Sequence, residues 1–299
     1  MVVLGFLSLS AWYLQRTNIP VLEPRGPIAQ KEQHLIIITL LLSLIVVIPV
    51  FSLLFAFSWK YREGNPKKAK YSPDLDGNRI AETVWWLVPS AIILVLGIII
   101  WNSSHALDPF KPLDSSTPAV TIQVVALDWK WLFIYPQQGV ASVNFMQIPR
   151  QTPINFQITS DSVMNSFWIP QLGSQIYAMP GMSTQLHLLA SSDGNFYGSS
   201  ANISGSGFAG MNFIAKATSQ TAFNQWVTSV KRSPDSLSQS AYAKLAQPSQ
   251  NNPVAYYASG APGLYATIIN KYLAPIGGTS SMGSNGASNT SGMAGMEMQ

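Results

Sequence analysis

The chain has 299 residues, a formal net charge of +4, only 10% charged residues and no cysteine. Lack of cysteine excludes disulfides, thiolate metal sites, iron–sulfur ligation and cysteine nucleophiles. Low charge with a positive mean hydropathy points to membrane segments, and the basic residues gather in one loop rather than in a nucleic-acid footprint.

Residues 1–16 are apolar but lack a basic start, so they read as an imperfect signal or N-terminal apolar segment. Residues 17–34 follow as an extracytoplasmic segment. From Leu35 to Phe57 there is no charge, enough for roughly 30 Å of hydrocarbon as a helix. Pro49 is expected to bend this helix, and Trp59 and Tyr61 suit the headgroup layer, which puts the first span at 35–59. A second uncharged run, Val84 to Trp101, is bounded by Trp85 and Trp86 at one end and Trp101 at the other. It sets the second span at 83–103. The loop between, 60–82, holds Lys60, Arg62, Lys67, Lys68, Lys70 and Arg79 against Glu63, Asp74 and Asp76. Short loops rich in Lys and Arg stay in the cytoplasm, so both termini and everything after His105 are expected outside.

Residues 104–118, rich in Pro, Ser and Thr, make a tether, and strand signals begin after it. Ile154, Phe156 and Ile158 alternate with Asn155, Gln157 and Thr159, the period-two pattern of a half-buried strand. Val125, Leu127, Trp129, Trp131 and Phe133 are expected on one face of an earlier run. Leu186 and Leu188 alternate with Gln185 and His187, which predicts an exposed His187. Met211, Phe213 and Ala215 alternate with Asn212 and Lys216. Short strands between Gly, Pro, Asn and Ser turns predict a β-sandwich of roughly one hundred residues, 119–218. After Thr218 the period changes, and helices are expected over 221–231, 237–245 and 263–273, capped by Ser219 or Thr221 and by Ser236. These form a helical extension, 219–275. The tail, 276–299, is Gly/Ser/Met-rich and reads as disordered. Its Met282, Met293, Met296 and Met298 offer thioethers to cuprous ion, but a tail without a metal role is the plainer reading.

Between Tyr197 and Met211, Ser200 and Ser204 stand four apart, Phe208 follows four later and Met211 three after that. Four further blocks accompany this loop. They are Glu82-Thr83-Val84-Trp85 with Pro89, His105-Ala106-Leu107-Asp108-Pro109 with Lys111-Pro112-Leu113, Asp128-Trp129-Lys130-Trp131, and Asn165-Ser166-Phe167-Trp168-Ile169-Pro170 with Leu172-Gly173 and Pro180-Gly181. Together the blocks resemble subunit II of the haem-copper respiratory oxidases, and within it the cytochrome bo-type ubiquinol oxidases. The resemblance implies a two-helix transmembrane hairpin, a cupredoxin-like Greek-key β-sandwich and C-terminal helices.

In the copper-bearing branch of that family, a Cys-x3-Cys-x3-His-x2-Met loop and one earlier His hold a binuclear copper centre. By resemblance, the earlier His position is Asn165, the thiolate positions are Ser200 and Ser204, the carbonyl donor position is Asn202 and the second His position is Phe208. Only Met211 is retained, and one thioether does not hold a metal. The expectation is that this chain carries no catalytic residue and no cofactor. Haems, copper and quinol are then expected in a partner subunit I. Phe208 is expected to fill the vacated space, Ser200, Ser204 and Asn165 to bond one another or nearby backbone, and Met211 to be a core residue. Trp129 matches the tryptophan that receives electrons from cytochrome c in relatives, a role left vestigial here. A lipid-modified cysteine often precedes the motif seen here as Leu22-Glu23-Pro24-Arg25-Gly26; its position falls near Thr17, which cannot form a thioether.

The resemblance further implies a proton-pumping quinol oxidase of the aerobic respiratory chain that reduces oxygen to water in a bacterial inner membrane. Its partners would be subunit I, further subunits (III and IV) and the bilayer, without cytochrome c docking. Glu82 falls where a carboxylate marks the mouth of the proton channel into subunit I. A solvated acid favoured by a helix N-terminus is the alternative for this residue. Two other readings of the chain stand beside this one: a membrane-anchored cupredoxin-like binding module without an oxidase partner, and a cytochrome c oxidase subunit II, which the absent ligands oppose.

Overall fold

A computed structural model of the protein describes residues 19–62, 77–260 and 262–273. The expectations for residues 1–16 and Thr17, for most of the basic loop and for the Met-rich tail lie outside the described residues.

Two long helices come first, α1 (Pro27–Lys60) and α2 (Arg79–Ala106). Proline at the first turn of α1 follows an extended Gly26, a start that proline favours because its missing N–H would have had no partner there. Asn78 caps α2, its Oδ1 accepting from the backbone N–H of Ile80 and Ala81 at 3.0 and 3.1 Å. Both helices are long and apolar enough to cross a membrane. Each runs past its uncharged stretch, so α1 carries Gln30, Lys31, Glu32 and His34 as helix outside the predicted span.

The sandwich follows. Its first sheet has the order β11-β3-β2-β1-β5-β8, built from β1 (Val120–Leu127), β2 (Lys130–Tyr135), β3 (Val140–Val143), β5 (Ile154–Ser160), β8 (Thr184–Leu188) and β11 (Ala255–Tyr257). The second has the order β4-β10-β9-β6-β7, from β4 (Phe145–Pro149), β6 (Asn165–Trp168), β7 (Ile176–Ala178), β9 (Gly194–Ser200) and β10 (Asn212–Thr218). β1 pairs with β5, and β4 with β10, in parallel; the other pairings are antiparallel. This is the cupredoxin-like sandwich that the resemblance implies.

Between the sheets, Trp131, Phe133, Phe156, Phe167 and Phe213 form one aromatic core. Phe167 and Phe213 stack at 5.1 Å with 6° between ring planes. Gly198 makes that arrangement possible, since a Cβ there would lie 2.1 Å from the Phe213 ring.

The extension covers the outer face of the first sheet. Leu237, Tyr242 of α4 (Gln239–Leu245), and Leu264, Tyr265 and Ile268 of α5 (Leu264–Leu273) pack on Val125, Leu127, Leu132 and Ile134. The expected single face for Val125 through Phe133 is therefore corrected. Asp128 and Trp129 reverse the chain between β1 and β2, with Trp129 at φ 62°. Val125 and Leu127 face the extension, whereas Trp131 and Phe133 face the inter-sheet core. A sheet buried on both faces loses the polar phase that marks strand sides.

An earlier helix, α3 (Gln220–Val230), is capped by Ser219 and buries Phe223, Val227 and Val230. The cap of α4 is Ser238 rather than the expected Ser236, accepting from Ala241 N at 3.2 Å.

Candidate functional site

The loop that resembles a copper site joins β9 to β10, and Asn165 opens the neighbouring β6. Pairing of β6 with β9 at Phe167 and Ser200 brings the first His position beside the first thiolate position. Ser200 Oγ lies 3.1 Å from Asn165 Oδ1 and 3.2 Å from the Asn202 carbonyl, with one proton to give. Asn165 Nδ2 donates to the Val163 carbonyl at 2.9 Å, and Asn202 Nδ2 to the Met164 carbonyl at 3.0 Å. These amides and hydroxyls satisfy one another and the local backbone, as buried polar groups must.

The other positions diverge. The Ser204 carbonyl accepts from Trp129 Nε1 at 3.3 Å, whereas its Oγ is buried without a partner among the described residues, so the expected bonding of Ser204 does not occur. Trp129 lies against Gly205 and Gly207, and a Cβ on Gly207 would approach its ring to 2.4 Å. Phe208 begins a single 3-10 turn, Phe208–Gly210, and is half-buried outside both cores. Phe208 therefore belongs to neither hydrophobic cluster, and that its ring occupies the ligand space stays a matter of proposal. Met211 is fully buried among the aromatic rings.

These donors do not fit a binuclear copper centre. Amides and neutral hydroxyls replace imidazole and thiolate, and Phe208 has no donor atom. Among the described residues no group of three or more His, Asp or Glu converges elsewhere.

The extension brackets this loop. Gln250 Nε2 donates to Ser206 Oγ at 3.4 Å, and Asn144 Nδ2 to the Asn252 carbonyl at 3.0 Å. Lys130 is buried, its Nζ donating to the Gln247 carbonyl at 2.7 Å and to Ser249 Oγ at 2.5 Å. Burial pushes its ammonium below the ordinary lysine value, against the opposing charge of Asp128. On the far side, Asp161, its side chain 3% exposed, accepts from Tyr242 OH at 2.5 Å, Lys271 Nζ at 2.8 Å and Tyr272 OH at 2.9 Å. Burial raises the Tyr242 phenol well above its ordinary value, and Asp161 adds to the effect. Tyr265, bonded to Ser183 at 2.8 Å, is pushed up to about 12, chiefly by burial. Asp161 escaped the sequence reading; an isolated acid four residues before Asn165, in a chain with 13 acids, was its only signal.

Two further positions matter. Glu82 lies exposed in the first turn of α2, its Oε1 over Gly77. With Arg79, Thr83, Trp86, Leu87 and Ser90 it lines one shallow depression. His187 is buried rather than exposed, its Nδ1 donating to the Pro109 carbonyl at 3.0 Å. The tether folds over this strand, which strand periodicity could not register.

Comparison with known proteins accords with this geometry. The family model for the cytochrome c oxidase subunit II periplasmic domain matches residues 138–218, and that for the COX aromatic rich motif matches 231–275. The cytochrome bo(3) ubiquinol oxidase subunit 2 of Pseudomonas aeruginosa is 54% identical, covering 90% of this chain and 81% of that one. The same-named protein of Pseudomonas putida is 51% identical, over 90% and 84%. The ubiquinol oxidase subunit 2 of Acetobacter aceti is 51% identical, over 90% and 87%. With two helices long and apolar enough to span a membrane, a cupredoxin-like periplasmic domain and an aromatic extension, the chain belongs to the ubiquinol oxidase subunit 2 family, whose members are subunits of an oxidoreductase complex.

Proposed function

We propose that this chain is the copper-free subunit 2 of a proton-pumping ubiquinol oxidase in a bacterial inner membrane. It braces the main membrane subunit with α1 and α2, and it caps that subunit on the periplasmic side. Both termini then lie in the periplasm. The observation that carries the reading is the bond between Ser200 Oγ and Asn165 Oδ1. Two positions that would present thiolate and imidazole to a metal instead satisfy each other. Electrons from quinol therefore reach the haems and copper of the partner subunit without crossing this domain, and Trp129 is a packing residue. Purification through a tag on this chain is expected to bring down haem-bearing membrane subunits. Recovery of the chain alone would favour a free-standing module.

Glu82 collects protons at the cytoplasmic mouth of the path into the main subunit. Its exposure in a depression beside Arg79 supports this role, because a solvated carboxylate exchanges protons readily with water. Replacement by Ala in the assembled complex is expected to slow turnover and proton uptake together by about tenfold, less than the ~100-fold typical of a direct acid–base catalyst. Unchanged rates would leave Glu82 as a helix-terminal acid only.

A further inference from the structure

Where α1 and α2 reach the sandwich, two cavities adjoin and share Glu32, Leu107, Ser174 and Gln175 in their walls. One, of about 450 Å³, is charged: Lys31, Glu32, Asp108, Lys111, Asp114 and His187 stand around it. The other, of about 610 Å³, is mainly apolar and runs along Leu35 and Ile36 beneath Trp168 and Pro170. All of these walls belong to this chain.

Their order along α1 matters. Lys31 precedes the uncharged stretch that starts at Leu35, and Lys31 to Ile36 rises about 7.5 Å along the helix. The charged cavity thus sits at headgroup level and the apolar one at the edge of the hydrocarbon. Polar groups in the charged cavity have capacity to spare. Lys31 and Lys111 are exposed, and among the described residues neither ammonium group makes a hydrogen bond or ion pair; the backbone N–H of Lys111 donates to the Asp108 carbonyl at 3.0 Å. Glu32 uses Oε1 for both of its bonds, from Ser174 N at 3.0 Å and Ser174 Oγ at 2.6 Å, and leaves Oε2 open. His187 spends Nδ1 on the Pro109 carbonyl and keeps Nε2 as an acceptor.

We propose that the two cavities together hold one phospholipid with a phosphoethanolamine headgroup. Its phosphate lies between Lys31 and Lys111, its ammonium faces Glu32, Asp114 and His187, and an acyl chain leaves along Leu35 and Ile36. Charge decides the class of ligand. A free anion would use the lysines and leave the acids and the apolar cavity unmatched, whereas an uncharged quinol ring would leave both lysines unmatched. A headgroup bearing both charges, continuous with hydrocarbon, matches both lysines, Glu32, Asp114, His187 and the apolar cavity, while Asp108 Oδ1 already accepts from Phe110 N at 3.0 Å. Such a lipid would wedge the domain against its helices and fix its tilt over the bilayer. This site requires only that α1 and α2 lie in a membrane, and it is independent of Glu82 and of the electron donor.

Native mass spectrometry of the delipidated complex, purified through this chain and titrated with phosphatidylethanolamine, tests the assignment. One retained lipid per complex is expected, with retention falling about tenfold in the Lys31→Gln/Lys111→Gln double variant, since each lysine near a membrane surface adds appreciably to lipid affinity. Gln175→Trp, which places a bulky ring in the wall common to both cavities, should give a similar loss. Haem content should be unchanged in both variants, because the replaced side chains are exposed. Phosphatidylcholine, whose ammonium has no proton to donate, should bind more weakly, and soluble phosphoethanolamine at equal concentration should not compete. Equal retention by wild type and both variants would overturn the proposal. So would equal retention of phosphatidylcholine, effective competition by the soluble headgroup, or a side chain of the main subunit seated in the cavity.

Discussion

Two polar clusters in the periplasmic domain use the same kinds of atom for different ends. Around the loop before Met211, Asn165, Ser200 and Asn202 are held by neutral hydrogen bonds of 2.9–3.2 Å, worth about 1 kcal/mol each. At the end of β5, one buried carboxylate, Asp161, takes three donors from the helical extension, where charge-assisted bonds are worth about 1.5–3 kcal/mol. The first cluster is neutral packing, its amides and hydroxyl bonded to one another and to local backbone. The second spends its charge on fastening the extension. The loop is thus held by weak local ties, while the extension is fastened to the domain by a charge.

The shared aromatic core should break both regions at once. Phe213→Ala is expected to cost about 4 kcal/mol, and hydrogen exchange should then rise in the loop and in the extension alike. Asp161→Ala separates them. It should cost about 2 kcal/mol, chiefly from the buried Tyr242 hydroxyl left without an acceptor, since Tyr272 is exposed to water. Lys271, whose side chain is 59% exposed, adds little. Faster exchange confined to residues 239–273 is expected, and equal loosening of residues 200–211 would show that the clusters are one unit.

Alkaline pH should sharpen the same contrast. Tyr242 and Lys271 titrate above their ordinary values of 10.0 and 10.5 in the folded protein, Tyr242 chiefly through burial and Lys271 chiefly through its bond to Asp161. The unfolded segment loses those protons first as pH rises. The stabilisation is thus complete below about pH 10 and is lost as pH climbs through the raised values. Exchange in the extension should be flat from about pH 7 to 9, after correction for intrinsic rates, and climb above about pH 10.

Smallest is the contrast within the loop. Ser200→Ala should cost about 1 kcal/mol by leaving Asn165 Oδ1 with one partner fewer. Ser204→Ala should cost about nothing or stabilise slightly, because its Oγ is buried with no bond to lose. Denaturant midpoints of the two variants measure the difference, and equal losses would contradict the hydrogen-bond assignment.

Hydropathy made the two long apolar helices legible, because an uncharged run of that length left unburied suits a bilayer. It read the hydrocarbon rather than the helix, which is why residues 27–34 of α1 lay outside the predicted span. Alternation revealed β5, β8 and β10, each with one polar phase. It misled at β1 and β2, where both faces are covered and a turn at Trp129 exchanges them. β11 has three residues and owes its place to pairing with β3, a contact distant in sequence. Spacing placed Ser200, Ser204 and Phe208 in one loop, but it could not register the 3-10 turn Phe208–Gly210, in which Phe208 joins neither core. Asp161 and the inward turn of His187 depend on segments that fold back from the extension and the tether, and local pattern carries no trace of either.

Donor dependence of oxygen uptake tests the central claim most directly. The complex purified through this chain is supplied with ubiquinol or with reduced cytochrome c, and oxygen consumption is followed. Rapid uptake is expected with ubiquinol, and none above background with cytochrome c. Sustained uptake from cytochrome c would contradict that claim, because electrons would then be crossing the domain whose copper ligands are absent.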